Sequence, residues 1–347
     1  MNKLGKMFSG KGKSPKQFLL DNAILIILFV IIVFVGINRP RFVGINNITS
    51  IAMSGSTRFI IALGISGCLI TRGTDLSAGR VIGLGGCISA SLLQRADYTN
   101  KLFPWIEQYP LLAVFLLVVS VTALIGFING TIISFLKVPP FIATLGVQQI
   151  VYGLCLMYSK GQPIGALRRD FSNVATGGIL LPGTENLVDK GIKIPYLFII
   201  ALVVGAIMWF LYNQTKHGKY MYAIGGNEAA AEVSGINTNI MKIKIYTLAG
   251  FMYGLAGLLL TARAGGASTG LGSGYELEAI AACTIGGVST TGGVGKVSGI
   301  LVGVLVFELL KSALQFMNVN PNYQYVVQGI VIVMAVAFDI RKYIAKK

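Results

Sequence analysis

Apolar runs of about 20 residues recur along this sequence, and they decide what it can fold into. The run from Ile24 to Val35 contains no polar residue at all. Hydrocarbon offers no partner for a backbone amide, so a spanning segment must be a helix or one strand of a closed barrel. Barrel strands alternate apolar and polar residues, and these runs do not. The expected fold class is therefore all-α: a polytopic membrane protein. A chain of 347 residues that is 54% hydrophobic and 12% charged is not water-soluble. The net charge of +16 would suit a nucleic-acid binder, but in a membrane protein a Lys/Arg excess collects at cytoplasmic helix ends. Nucleic acid is accordingly not expected as a partner. Cys68, Cys87, Cys155 and Cys283 all lie in apolar stretches without metal-ligand spacing, and read as small buried hydrophobes.

The pattern predicts about ten transmembrane helices with both termini cytoplasmic. Lys3, Lys6, Lys11, Lys13 and Lys16 precede a first helix at about Phe18–Ile37, which Pro40 closes. A basic start before an apolar run is also signal-peptide-like, but no small-residue cleavage site follows, so an uncleaved helix is expected. The second helix, about Ile48–Ile70, carries Arg58, which either serves a function facing protein or water or snorkels near the outer surface. Arg72 and Arg80 mark the inner face, and Asp75 caps a third helix starting near Leu76 and ending near Leu93. Helices follow at about Leu111–Leu136, from Pro139-Pro140, at Pro195–Tyr212 and at Met241–Ala262. An eighth runs from near Glu276 through Val288, a ninth starts after Lys296, and the tenth spans about Tyr323–Phe338. Arg341, Lys342, Lys346 and Lys347 close the chain inside. Residues 1–347 thus form one transmembrane domain: six helices over 17–212, a cytoplasmic loop over 213–240, and four helices over 241–340. The glycine-rich segments near 75 and 290 are candidates for re-entrant loops, which would change the count by two. The polar stretch Lys160–Pro195, with Arg168, Asp170, Glu185 and Asp189, falls outside by parity.

Polar side chains within the spans either join helices or line a path. Asn129, Thr144 and Gln148, with Asp75, are the candidates for a translocation path. Glu308 and Lys311 are three residues apart and can pair on one helix face.

The loop Gln214–Thr238 is polar and flanked by Lys216, Lys219, Lys242 and Lys244. Within it Glu228–Val233 favours a short helix of small side chains. Gly225, Gly226 and Asn227 form a turn before it, with Asn227 as cap, and Gly235 stops it. An ordinary loop would account for this equally well. However, Thr215, Gly218, Ala223–Asn227, Ala230, Ala231 and Ser234–Ile236 match the coupling loop of ABC importer permeases for ribose, galactose and related sugars. Gly73-Thr74-Asp75-Leu76-Ser77 resembles a second signature of that family, and Tyr275–Gly295 is similar to its galactose-type members. Glu228 stands where Pro is usual, Ala229 where Glu is usual, and Glu232 where a base is usual.

The resemblance implies a permease subunit of an ATP-driven importer of a neutral sugar, galactose or a methyl-galactoside, in the cell inner membrane. It implies a homodimer, two cytoplasmic ATPase domains gripping the loop at Gly218, Gly225, Gly226, Asn227, Glu228, Ala229, Ala230, Ala231, Glu232 and Gly235, and a periplasmic sugar-binding protein docking outside. ATP and magnesium belong to the ATPase partner, and this chain needs no cofactor, metal or catalytic residue. The sequence holds no Ser/His/Asp set or HExxH motif, and Gly292–Lys296 departs from a phosphate-binding loop because Val297 follows the lysine. His217, the only histidine, is expected to be solvated. The competing classes are an ion-coupled secondary transporter and a membrane-embedded enzyme.

Overall fold

The computed structural model describes residues 23–105, 108–181 and 193–344. The N-terminal lysines, the start of the first helix, Glu185, Asp189, Lys346 and Lys347 lie outside the described residues. The chain forms α1 (Ala23–Asn38), α2 (Ile45–Ile70), α3 (Ala78–Leu92), α4 (Leu111–Phe135), α5 (Pro140–Ser159), α6 (Arg169–Thr176), α7 (Tyr196–Gln214), α8 (Lys216–Gly226) and α9 (Glu228–Val233). α10 (Thr238–Ala264), α11 (Tyr275–Ile285), α12 (Val297–Phe316) and α13 (Pro321–Ile344) follow. A short antiparallel pair, β1 (Gly178–Leu180) and β2 (Lys193–Pro195), frames the polar segment before α7.

Each expected membrane helix has a counterpart, but among the described residues only α2, α4, α5, α7, α10, α12 and α13 are long and apolar enough to cross a bilayer. With 15 residues, α3 is about 22 Å long, and α11, with 11, about 16 Å. A hydrocarbon layer of about 30 Å exceeds both. α3 and α11 are therefore half-helices, and residues 71–77 and 286–296 are irregular backbone at their ends. The eighth helix stops at Ile285 rather than reaching Val288 because Gly286 and Gly287 leave the helical path, Gly287 at φ 83°.

Irregular backbone at membrane depth must be enclosed by protein. The segment after α10 supplies that cover for α3. Sequence places Arg263–Tyr275 as an outer loop; in the fold its inner half lies back along α3. A Cβ on Gly83 would meet the Leu271 carbonyl at 2.9 Å, and one on Gly86 the Leu271 side chain at 2.6 Å. Arg80 joins this cover instead of marking the inner face. Its Nη1 donates to the Thr269 carbonyl at 3.2 Å, and its guanidinium lies 4.2 Å from the centre of the Tyr152 ring.

α10 is the hub, packed by α2, α3 and α4. Its Gly250 and Gly254 cross Gly126 of α4 and Thr122 so closely that a side chain at Gly126 would strike the Tyr246 carbonyl of α10. Small residues four apart allow such backbone approach, and in lipid this replaces the missing hydrophobic drive. A similar crossing joins α11 to α12 through Gly286, Gly299 and Gly303.

Candidate functional site

Three polar assemblies occupy this frame. The first lies at the lysine-rich end. Thr215 caps α8 through the Gly218 amide, and Gly218 packs directly on the Tyr212 backbone. α8 runs through Gly225 and Gly226, where sequence suggests a turn, and stops at Asn227. The Asn227 Oδ1 accepts the Ala230 amide at 3.1 Å and so caps α9. Gly235, at φ 84°, ends α9 in the left-handed region that glycine tolerates best.

The unusual glutamates of this loop are engaged within the chain. Lys242 Nζ donates to Glu228 at 2.6 Å, and the Thr238 hydroxyl donates to Glu232 at 2.6 Å. Ala229, Ala230 and Val233 are exposed, Val233 at 91%. Ala231 is buried and faces the chain's own interior, so of the two central alanines only Ala230 offers an outward surface. His217 is half-buried rather than solvated. Burial, with Lys244 nearby, pushes its pKa below the usual imidazole value.

Arg72 ties this loop to the irregular segment after α2. Its Nε donates to the Gly225 carbonyl at 2.7 Å and its Nη2 to the Gly226 carbonyl at 2.6 Å. The second irregular segment joins the same junction. The Gly293 amide donates to the Ile70 carbonyl at 2.8 Å, and the Tyr222 hydroxyl to the Gly295 carbonyl at 2.8 Å. Asp339 at the end of α13 accepts the Thr290 amide and hydroxyl, each at 2.9 Å.

The second assembly sits around Asp75. Its Oδ1 accepts the Ser77 amide at 3.0 Å and the Ser77 hydroxyl at 2.6 Å. Asn129 Nδ2 donates to the same hydroxyl oxygen at 2.9 Å, and the Leu76 amide donates to Thr144 Oγ1 at 3.2 Å. The Tyr246 hydroxyl donates to the Thr74 carbonyl at 3.2 Å. Asp75, Asn129 and Thr144 are all fully buried, and the fold brings these three of the four path candidates together. Gln148 lies one turn beyond Thr144, is half-exposed and takes no part.

The third assembly centres on Arg58, midway along α2, and shows no snorkelling to the surface. Its Nε lies 2.9 Å from Glu278 Oε2 and 2.8 Å from Glu308 Oε1. Lys311 Nζ lies 2.7 Å from Glu278 Oε1. Glu308 and Lys311 therefore do not pair with each other: each finds its partner on a neighbouring helix. Sequence spacing within α12 gave no sign of this, since Glu278 lies 33 positions before Lys311 and Arg58 lies most of the chain before Glu308.

Among the described residues no group of three His, Cys, Asp or Glu is placed to hold a metal ion.

The family profile described as "Branched-chain amino acid transport system / permease component" matches residues 47–336. The galactose/methyl galactoside import permease protein of Escherichia coli (strain K12) is 41% identical over 338 residues, covering 96% of this chain and 98% of that protein. The same-named protein of Haemophilus influenzae is 41% identical over 334 residues, covering 95% and 97%. The ribose import permease protein of that organism is 35% identical over 327 residues, covering 93% and 94%. No solved structure matches the chain.

Proposed function

Because the chain belongs to the branched-chain amino acid transport system permease family, we propose that it moves a neutral sugar of the galactose or methyl-galactoside type by alternating access. It is the permease subunit of a sugar ABC importer, a multi-pass protein of the inner membrane and a transporter rather than an enzyme. Its working form is a homodimer with the path on the two-fold axis. Two cytoplasmic ATPase domains, carrying ATP and magnesium, grip the lysine-rich end, and a sugar-binding protein delivers substrate at the far end. Both chain termini lie on the ATPase side, and residues 213–240 are the coupling loop of a single permease domain.

The observation that carries this reading is the Arg72–Gly225–Gly293 junction, which joins α8 and α9 to the irregular ends of both half-helices. A displacement of α9 by the ATPase is passed to Ile70 and Gly293 without a flexible link. Ala229, Ala230 and Val233 form the face that meets the ATPase, while Gly218, Gly225, Gly226, Asn227, Glu228, Ala231, Glu232 and Gly235 hold that face in place. Asp75, Asn129 and Thr144 belong to the path as the clasp that sets the start of α3. Asp75 Oδ1 and the Asn129 amide nitrogen both meet Ser77, which supports holding the half-helix, while Asp75 Oδ2 and Asn129 Oδ1 are buried without a hydrogen-bond partner among the described residues.

The test is sugar uptake into sealed vesicles containing this chain alone, or with its ATPase and binding protein. Uptake that needs all three and ATP is expected. Concentrative uptake by the chain alone, abolished when a proton or sodium gradient is collapsed, would make it an ion-coupled transporter instead.

A further inference from the structure

We propose that the sugar passes over a polar surface midway across the membrane, formed by Arg80 of α3, Gln148 and Tyr152 of α5, and Thr269 and Ser273 between α10 and α11. The proposal rests on the importer reading above.

The fold brings these residues together around Arg80. Its guanidinium lies 4.2 Å from the centre of the Tyr152 ring and donates to the Thr269 carbonyl at 3.2 Å. Gln148 precedes Tyr152 by one helical turn and so shares its face of α5. The stretch from Thr269 to Ser273 runs along α3. A Cβ on Gly83 would lie 3.6 Å from the Thr269 carbonyl, and one on Gly79 would strike the Gly272 carbonyl and the Glu276 carboxylate.

Two helices fix the depth independently. Leu92 ends α3 on the side away from the lysine-rich loop, and Gly83 and Gly79 lie about 14 and 20 Å from it along the helix. Gln148 and Tyr152 occupy the middle of α5, which is long enough to span the bilayer. The hydrocarbon layer is about 30 Å thick, so the surface lies near its centre.

Lipid cannot lie against such a surface. The backbone from Gly265 to Gly274 is irregular, Gly270 and Ser273 are exposed, and Gln149 beside Gln148 is exposed as well. Irregular backbone survives at this depth only against protein or water. α3 covers one side of the segment, so the other meets water, through which a polar substrate can travel. That side is open. A Cβ on Gly274, or on Gly146 and Gly153 of α5, would meet nothing within 4 Å.

The surface also holds unused hydrogen-bonding capacity. Among the described residues, the Gln148 carboxamide and the hydroxyls of Tyr152, Thr269 and Ser273 have no partner, and Arg80 commits a single N–H. Hydroxyls and a carboxamide both donate and accept, as sugar hydroxyls do. Of the five side chains only Arg80 is charged, which suits a neutral substrate. The Asp75 clasp differs, since Asp75 is fully covered.

The test uses the complete complex in sealed vesicles. Ser273→Cys changes one atom, and the native cysteines are buried. A membrane-impermeant methanethiosulfonate is expected to label this variant in at least one nucleotide state and to stop its uptake. Sugar delivered by the binding protein is expected to slow the labelling. Labelling by a lipid-soluble maleimide alone would set Ser273 against lipid, and oxidative cross-linking of two copies without labelling would set it in a dimer contact. Either result overturns the proposal, as does labelling that sugar leaves unchanged. Gln148→Leu removes the carboxamide at similar volume. Uptake is expected to fall about two- to tenfold, the loss of one neutral hydrogen bond, while hydrolysis stimulated by the loaded binding protein persists. Unchanged uptake, or hydrolysis lost together with uptake, overturns the place of Gln148 in the surface. A wild-type complex without ATP-dependent uptake would instead sink the importer reading.

Discussion

Arg72 spans two carbonyls that α8 leaves open at its C-terminal end, those of Gly225 and Gly226, at 2.7 and 2.6 Å. The last carbonyls of a helix have no partner within it, and a cation there also meets the negative end of the helix dipole. Arg72 holds this position from a left-handed backbone, at φ 60°.

Arg72→Lys is expected to uncouple ATP hydrolysis from uptake. A single ammonium lacks the planar fork that reaches both carbonyls. Loss of one charge-assisted bond corresponds to about 1.5–3 kcal/mol. Sugar moved per ATP hydrolysed is the measurement; an unchanged ratio would separate the pin from the coupling step.

Ala230 and Ala231 should respond differently to the same substitution. Ala230→Trp is expected to leave a folded membrane protein that no longer retains the ATPase on co-purification. Ala231→Trp overpacks a buried position and should itself cost about 1–3 kcal/mol of stability. Thermal unfolding in detergent distinguishes them. Wild-type ATPase retention by Ala230→Trp would remove α9 from the interface.

At Gly225 even one methyl group has no room. Its Cβ would lie 2.5 Å from the Gly293 amide nitrogen and against the Ile70 carbonyl. Gly225→Ala is expected to lower the unfolding temperature and abolish uptake, whereas Gly226→Ala, whose Cβ would meet nothing within 4 Å, should retain both. Equal behaviour of the two variants would contradict the crossing described here.

Acid should loosen α8. The folded chain holds His217 below its ordinary pKa through burial and Lys244, so the unfolded segment binds the proton more readily. The stabilisation is complete above about pH 6.5 and is lost as the pH falls through the depressed folded value. Amide exchange across Lys216–Gly226 should therefore quicken, relative to neighbouring helices, between about pH 7.5 and pH 5.5. His217→Gln should flatten that dependence.

The helices, the Asn227 cap and the Gly235 stop were legible because each depends on local chemistry: apolar runs, capping and turn residues. Asp75, Asn129 and Thr144 were legible only as single polar residues in apolar surroundings; their meeting, across 52 to 68 positions, was not. Val233 was legible as part of a short helix, but its exposure was not. What escaped reading depends on residues far apart in the chain. Arg58 meets Glu278 across 220 positions, and no pattern within α2 points to it. The helix start near Glu276 was seen, but the depth at which α11 begins follows from how Gly265–Gly274 folds back, which only the assembled helices determine. Arg80 looked like a topological marker because its charge was visible and the Tyr152 ring and Thr269 carbonyl that receive it were not.

The cover that Leu271 and its neighbours lay over α3 has a consequence for how the protein is made. When α3 leaves the ribosome it is too short to cross the membrane alone, and the backbone that will shield it lies nearly 200 residues downstream, unsynthesised. Until α10 and the turn beyond it are made, the first part of the chain lacks the backbone that covers this break. Chains cut short before that turn hold several complete helices yet leave the short α3 without its cover.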